Sequence, residues 1–213
     1  MWPLPMIAMP LRLMLIRHAE TMWNRERRYQ GRQDPSLSDT GRAQAEALGR
    51  LLVKEPIEAV WSSPLRRARE TADAIAVPRG LEVRIDDQFG EMHFGRWEGL
   101  TSDEVSAKFP EMYRTWLDTP HLVTVPNGEA LSDVRERALK GLSALRQAHD
   151  GGTIALVTHG VTGRILILEA LGLGLDRIWS LQVSFTGISE LEFREDWAIV
   201  HRMNSLVHLE RRA

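Results

Sequence analysis

Residues 11–22 read LRLMLIRHAETM, and the fold turns on how this stretch is read. Leu13-Met14-Leu15-Ile16 is a short apolar run without charge. A run of that length and composition suits a strand buried on both faces of a sheet. A parallel strand presents the residues after it at the carboxyl edge of the sheet, where α/β proteins bind ligands. The next two residues are Arg17 and His18, a fixed positive charge beside a nucleophilic imidazole. That pair suits the transfer of a phosphoryl group onto nitrogen.

Along the rest of the chain, strand-like and helix-like segments alternate, which predicts a sheet with helices on its faces. Ser38 is placed to cap a helix over 39–54, which Pro56 ends. Ile57–Trp61 reads as a second strand. Ser63 is expected to cap the next helix, with Pro64 at its first position and Leu65, Ala68, Ala72, Ile75 and Ala76 as its buried stripe. Leu81–Ile85 is a short alternating strand. Residues 88–130 are irregular and hold two short helices, one opened by the capping box Thr101-x-x-Glu104 and one over Glu111–Asp118. A long helix starts near Leu131. Thr153–Thr158 is the most apolar strand, and a helix over 161–171 comes after it, closed by Gly172. Gly187–Phe193 and Ala198–Met203 read as a hairpin. The expected fold is a three-layer αβα sandwich, mostly parallel, in one domain spanning 1–213. Residues 1–10 are expected to be a loose tail, and 88–130 a capping insertion.

Composition narrows the function classes. The 213 residues carry 27 basic and 29 acidic side chains, a net charge of −2 that gives no global case for nucleic acid. Absence of cysteine excludes disulfides, a thiolate nucleophile and thiolate-bound metal. The N-terminal segment MWPLPMIAMP lacks the pattern of a signal peptide, and no apolar run is long enough to span a membrane. The expectation is a soluble, cytoplasmic protein with no nucleic-acid or membrane partner. A homodimer is the default for such an enzyme.

Four candidate groups fall just past strands, where parallel neighbours would bring them together. Arg17 and Arg66 offer planar guanidinium forks that grip two phosphate oxygens at once. His159 adds a donor, and the helix start at Gly160 adds backbone N–H groups. His18 is the nucleophile; its ordinary pKa near ~6.5 leaves it neutral at neutral pH. Its second ring nitrogen should donate to a carbonyl or hydroxyl. Glu91, between Phe89 and Met92-His93-Phe94, is the general acid, its pKa raised by an apolar setting. Ser62 or Ser63 is placed to support the His18 ring. His93, His121, His201 and His208 show no metal-ligand spacing, so neither a metal nor any other cofactor is expected.

RHAETMWN (17–24), RYQGRQDPSLSDTGRAQA (28–45), SSPLRRARETA (62–72), EMHFGRWEG (91–99) and VTHG (157–160) together resemble the histidine phosphatase superfamily, the phosphoglycerate-mutase-like group. The resemblance implies phosphorylation of His18, a phosphate pocket of Arg17, Arg66 and His159, and Glu91 as proton donor. It also implies that Asn24 and the Gln30-Gly31 loop line the pocket. Where mutases of this group resemble ERHYG at the acid, this chain has Glu91-Met92-His93-Phe94-Gly95. It also lacks their long basic insertion. Metal-independent hydrolysis of a small phosphomonoester is therefore favoured over a phosphoglycerate mutase or a non-enzymatic phospho-ligand binding module. FGEMHFGRWEG is similar to α-ribazole phosphatases, while RYQGRQDPSLS and WLDTPHLV are similar to metal-independent phosphoserine phosphatases. A broad-specificity phosphatase is the third option. Specificity is expected near Met92, Phe94, Trp97 and His121.

Overall fold

The computed structural model describes residues 10–194 and 197–210. Six strands form one sheet: β1 (Leu11–Arg17), β2 (Ile57–Ser62), β3 (Val83–Ile85), β4 (Gly152–Thr158), β5 (Ile188–Phe193) and β6 (Ala198–Ser205). Their order is β3-β2-β4-β1-β5-β6. The four strands from β3 to β1 are parallel, and β5 runs antiparallel to β1 and to β6. The mostly parallel sandwich is thus present, with the expected hairpin as an antiparallel flank. Of the expected loose tail over residues 1–10, residues 1–9 lie outside the described residues.

Alternation along β1 divides the core. Leu13 and Leu15 face one apolar cluster, Met14 and Ile16 the other. After the single turn α1 (Met22–Arg25), α2 (Asp39–Leu52) and α3 (Arg66–Ala76) cover the Met14 side, and α6 (Leu131–Gln147) and α7 (Gly160–Leu171) cover the other. Ser38 caps α2 through the Gly41 N–H, as read from sequence. Between β3 and α6 lie α4 (Ser102–Lys108), opened by the Thr101–Glu104 capping box, and α5 (Pro110–Asp118). This segment drives Phe89, Trp97 and Trp116 into the same core as Leu13 and Leu15. No described helix is long and apolar enough to cross a membrane.

One local expectation fails. α3 begins at Arg66, not at Pro64, and Leu65 stands at its cap without a side-chain hydrogen bond. The cap comes from elsewhere: the Arg66 N–H donates to the Asp34 carboxylate at 2.6 Å. Ser63 does not stand at the cap position; its hydroxyl accepts the N–H of Leu65, the residue that does.

Candidate active site

β1 and β4 are paired in register, with Arg17 opposite Thr158, and the His18 N–H donates to the Thr158 carbonyl at 2.8 Å. His18 and His159 therefore leave the sheet side by side, their ring centroids 5.1 Å apart. The Ser63 N–H bonds the Val157 carbonyl, which brings the end of β2 to the same edge. The parallel register is the feature that assembles the site.

His18 Nδ1 lies 2.7 Å from the Ala19 carbonyl, so Nδ1 carries the proton and Nε2 keeps its lone pair. Burial, with Arg67 and Arg17 nearby, holds the His18 pKa well below its usual value. Burial does the same to His159. Ser63 does not support His18; its hydroxyl is 2.7 Å from His159 Nε2. Ser63 Oγ also accepts the Leu65 N–H at 3.3 Å. His159 Nδ1 is buried and has no hydrogen-bond partner among the described residues.

Four arginines line this pocket, Arg17, Arg28, Arg67 and Arg164, and the Arg66 expected there is not one of them. Arg66 lies outside it: its side chain is 62% exposed and pairs with Glu70 one turn along α3. Arg67 is the buried one. It is 0% exposed, lines the pocket with Arg17, and donates to the Gln33 and Gly31 carbonyls at 2.7 and 2.9 Å. With α3 starting at Arg66, positions 67, 71 and 75 share its inward face, and Arg67, Thr71 and Ile75 are all buried. The same 3.6-residue stripe that selected Ala68, Ala72 and Ile75 contains Arg67. A rule that arginines face water hid it. Burial lowers both Arg17 and Arg67 to about 10, so both stay charged at neutral pH. Arg17 is held by the Val183 carbonyl at 2.7 Å and stacks on Phe185, 4.1 Å from its centroid.

Glu91 is buried in the pocket, but its setting is not the apolar one expected. Its carboxylate caps α7, accepting from the N–H groups of Gly160 (3.0 Å), Val161 and Thr162 and from its neighbour Met92. The helix-start N–H groups expected to meet a phosphate are thus given to Glu91; Gly160 lines the pocket by its surface. Arg137 on α6 fastens this loop by donating to the Gln88, Gly90 and Glu91 carbonyls. No local pattern marks this role, because the three carbonyls lie 46–49 residues before Arg137, which also pairs with Glu129.

The cavity has a volume of ≈ 190 Å³. Asn24, Gln30 and Gly31 line it, as do Arg28, Tyr29, Phe94, Trp116, Arg164 and Trp179. The Asn24 side-chain carbonyl is taken by Thr21. Gly31 has φ +51° with the Glu98 carboxylate packed against it, so a side chain there meets both strain and a clash. Of the expected specificity positions only Phe94 faces the cavity; Met92 and Trp97 are core and His121 is exposed. Among the described residues no group of three His, Asp or Glu side chains is arranged to hold a metal.

The family model for the histidine phosphatase superfamily (branch 1) matches residues 13–206. The chain belongs to this superfamily. Phosphoserine phosphatase 1 of Hydrogenobacter thermophilus is 36% identical over 93% of this chain and 94% of its own length. YhfR of Bacillus stearothermophilus superposes with a TM-score of 0.90 at 34% identity, covering 94% of this chain and all of that one. The α-ribazole phosphatase of Shigella flexneri superposes at 0.84 with 29% identity, over 92% of this chain and 96% of that one. Membership makes the protein a phosphatase of the histidine type and the fold phosphoglycerate-mutase-like.

Proposed function

We propose that the protein hydrolyses small phosphomonoesters in two steps through a phosphohistidine on His18. One observation carries this: a neutral imidazole, its Nδ1 tied to a carbonyl, lines a cavity with the half-buried Arg17, the buried Arg67 and one buried carboxylic side chain. In the first step His18 Nε2 attacks phosphorus in line as the bond to the leaving oxygen breaks. Glu91 gives that oxygen its proton. Arg17 and Arg67 hold the equatorial oxygens, and His159 stands against the His18 ring, 5.1 Å between centroids. In the second step the Glu91 carboxylate takes a proton from water, whose oxygen bonds phosphorus as the N–P bond breaks, releasing inorganic phosphate. The N–H groups of Met92, Gly160, Val161 and Thr162 hold the Glu91 carboxyl group in place through both steps.

Two guanidinium groups supply the charge that neutralises the phosphoryl oxygens, so the reaction is assigned no metal. The cavity volume suits a compact leaving group. Rapid quench with ³²P-labelled substrate, EDTA present, tests the scheme. Acid-labile, base-stable label is expected on the wild type and none on His18→Ala. Turnover by His18→Ala near the wild-type rate would overturn it.

A further inference from the structure

We propose that Arg164, with the wall made by Trp116 and Trp179, is a leaving-group subsite that selects phosphomonoesters bearing a carboxylate near the ester oxygen. This rests on the hydrolysis proposed above and names the class of substrate.

Arg164 lies one helical turn after Gly160 on α7, and two contacts hold it in place. Nε donates to the Leu181 carbonyl at 2.9 Å, and Nη1 to the Gly160 carbonyl at 3.1 Å. Its guanidinium stands 5.4 Å from the Trp179 ring centroid, and the Trp179 indole N–H is fixed to the Trp116 carbonyl at 2.9 Å. The cation therefore lines the cavity in one pose, with donors left over. Its position relative to the acid is set by Gly160. A Cβ built there would lie 3.4 Å from Arg164 Nη1, 3.6 Å from Arg17 Cζ and 3.6 Å from Glu91 Oε2. The oxygen that Glu91 protonates must approach Glu91, so the substituent it carries passes Arg164.

Charge decides which substituent fits. Four arginines line the cavity. Arg28 is already paired with Glu26 and Glu104. Arg17, Arg67 and Arg164 form no ion pair with any described carboxylate. Glu91 must be protonated to act as acid, and both histidines are neutral. A phosphate dianion then leaves one positive charge unmatched, on the leaving-group side. A half-buried guanidinium without a counter-ion is costly. A carboxylate gives it a bidentate partner.

Matched substrates isolate this interaction. O-phosphoserine and O-phosphoethanolamine differ only by the carboxylate; 3-phosphoglycerate and glycerol 3-phosphate differ by carboxylate against hydroxymethyl. For each pair kcat/KM is measured on the wild type, Arg164→Met and Arg164→Lys. The wild type is expected to prefer the carboxylate member. That preference falls by about 10–100-fold in Arg164→Met, and Arg164→Lys, which keeps the charge, retains part of it. Both members are assayed on one preparation, so a loss of folded enzyme cancels in the ratio. Equal losses for both members, or no wild-type preference, would overturn the subsite. Absence of phosphate release from all four esters and from p-nitrophenyl phosphate, with no phosphohistidine, would instead refute the phosphatase reading beneath it.

Discussion

Arg67→Ala is the perturbation that separates the two neighbouring arginines most sharply. Arg67 is fully buried, and Gln33 and Gly31 occupy only part of its donor set; its Nε has no partner. Charge-assisted hydrogen bonds are worth about 1.5–3 kcal/mol each. A fork making two to phosphate therefore supplies about 3–6 kcal/mol of transition-state stabilisation, or roughly 10²–10⁴ in kcat/KM at about 1.4 kcal/mol per tenfold. Arg66 has only its exposed pair with Glu70. Such a pair is worth about 0.3–0.5 kcal/mol, so Arg66→Ala is expected to change kcat/KM less than about threefold. The assay is p-nitrophenyl phosphate hydrolysis, with circular dichroism melting to confirm folding. Arg67→Ala also strips donors from two carbonyls of the 31–33 loop, so Arg67→Lys is the companion variant. It keeps the charge without the fork and is expected to lose about 10–10²-fold. A folded Arg67→Ala enzyme within tenfold of wild type, or a loss beyond tenfold in Arg66→Ala, would refute the placement of the phosphate fork.

The same geometry sets two further outcomes. Glu91→Gln is expected to lower kcat by about 10²–10⁴ on alkyl phosphates, and much less on p-nitrophenyl phosphate, whose leaving group needs no proton; an equal loss on both would remove Glu91 from the acid role. The buried histidines set a pH dependence of stability. Their folded pKa values are depressed, so below about pH 6.5 the unfolded chain binds protons that the folded chain refuses. Stability is whole above about pH 6.5 and is lost as pH falls toward the folded values, at up to about 1.4 kcal/mol per pH unit for each histidine. The Tm of His159→Gln is expected to fall less between pH 7 and 5 than that of the wild type. A steeper fall would contradict the neutral, buried state of that ring.

Much of this protein was legible in its sequence because the relevant signals are local. The apolar runs ending at Arg17-His18 and at His159 marked two buried strands and placed both histidines at their ends. The Ser38 cap, the Thr101–Glu104 box and Gly172 marked helix ends by hydrogen bonds that span only a few residues. Glu91 was identified by its motif; its surroundings were not, because three of the four N–H groups it accepts from lie 69–71 residues later.

Which arginine meets the phosphate was decided only in three dimensions. Asp34, 32 residues before Arg66, caps α3 and so sets the register that turns Arg67 inward and Arg66 out. Ser63 Oγ accepts the Leu65 N–H and also meets His159 Nε2, because parallel pairing of β2 with β4 set them together. Arg164 carried no sequence signal, since its meaning depends on standing beside Glu91 and Trp179. Composition and periodicity determine which residues enter the core and where strands end. The partner of a buried charge is chosen by strand order and helix register, because those bring distant residues within a few ångströms of one another.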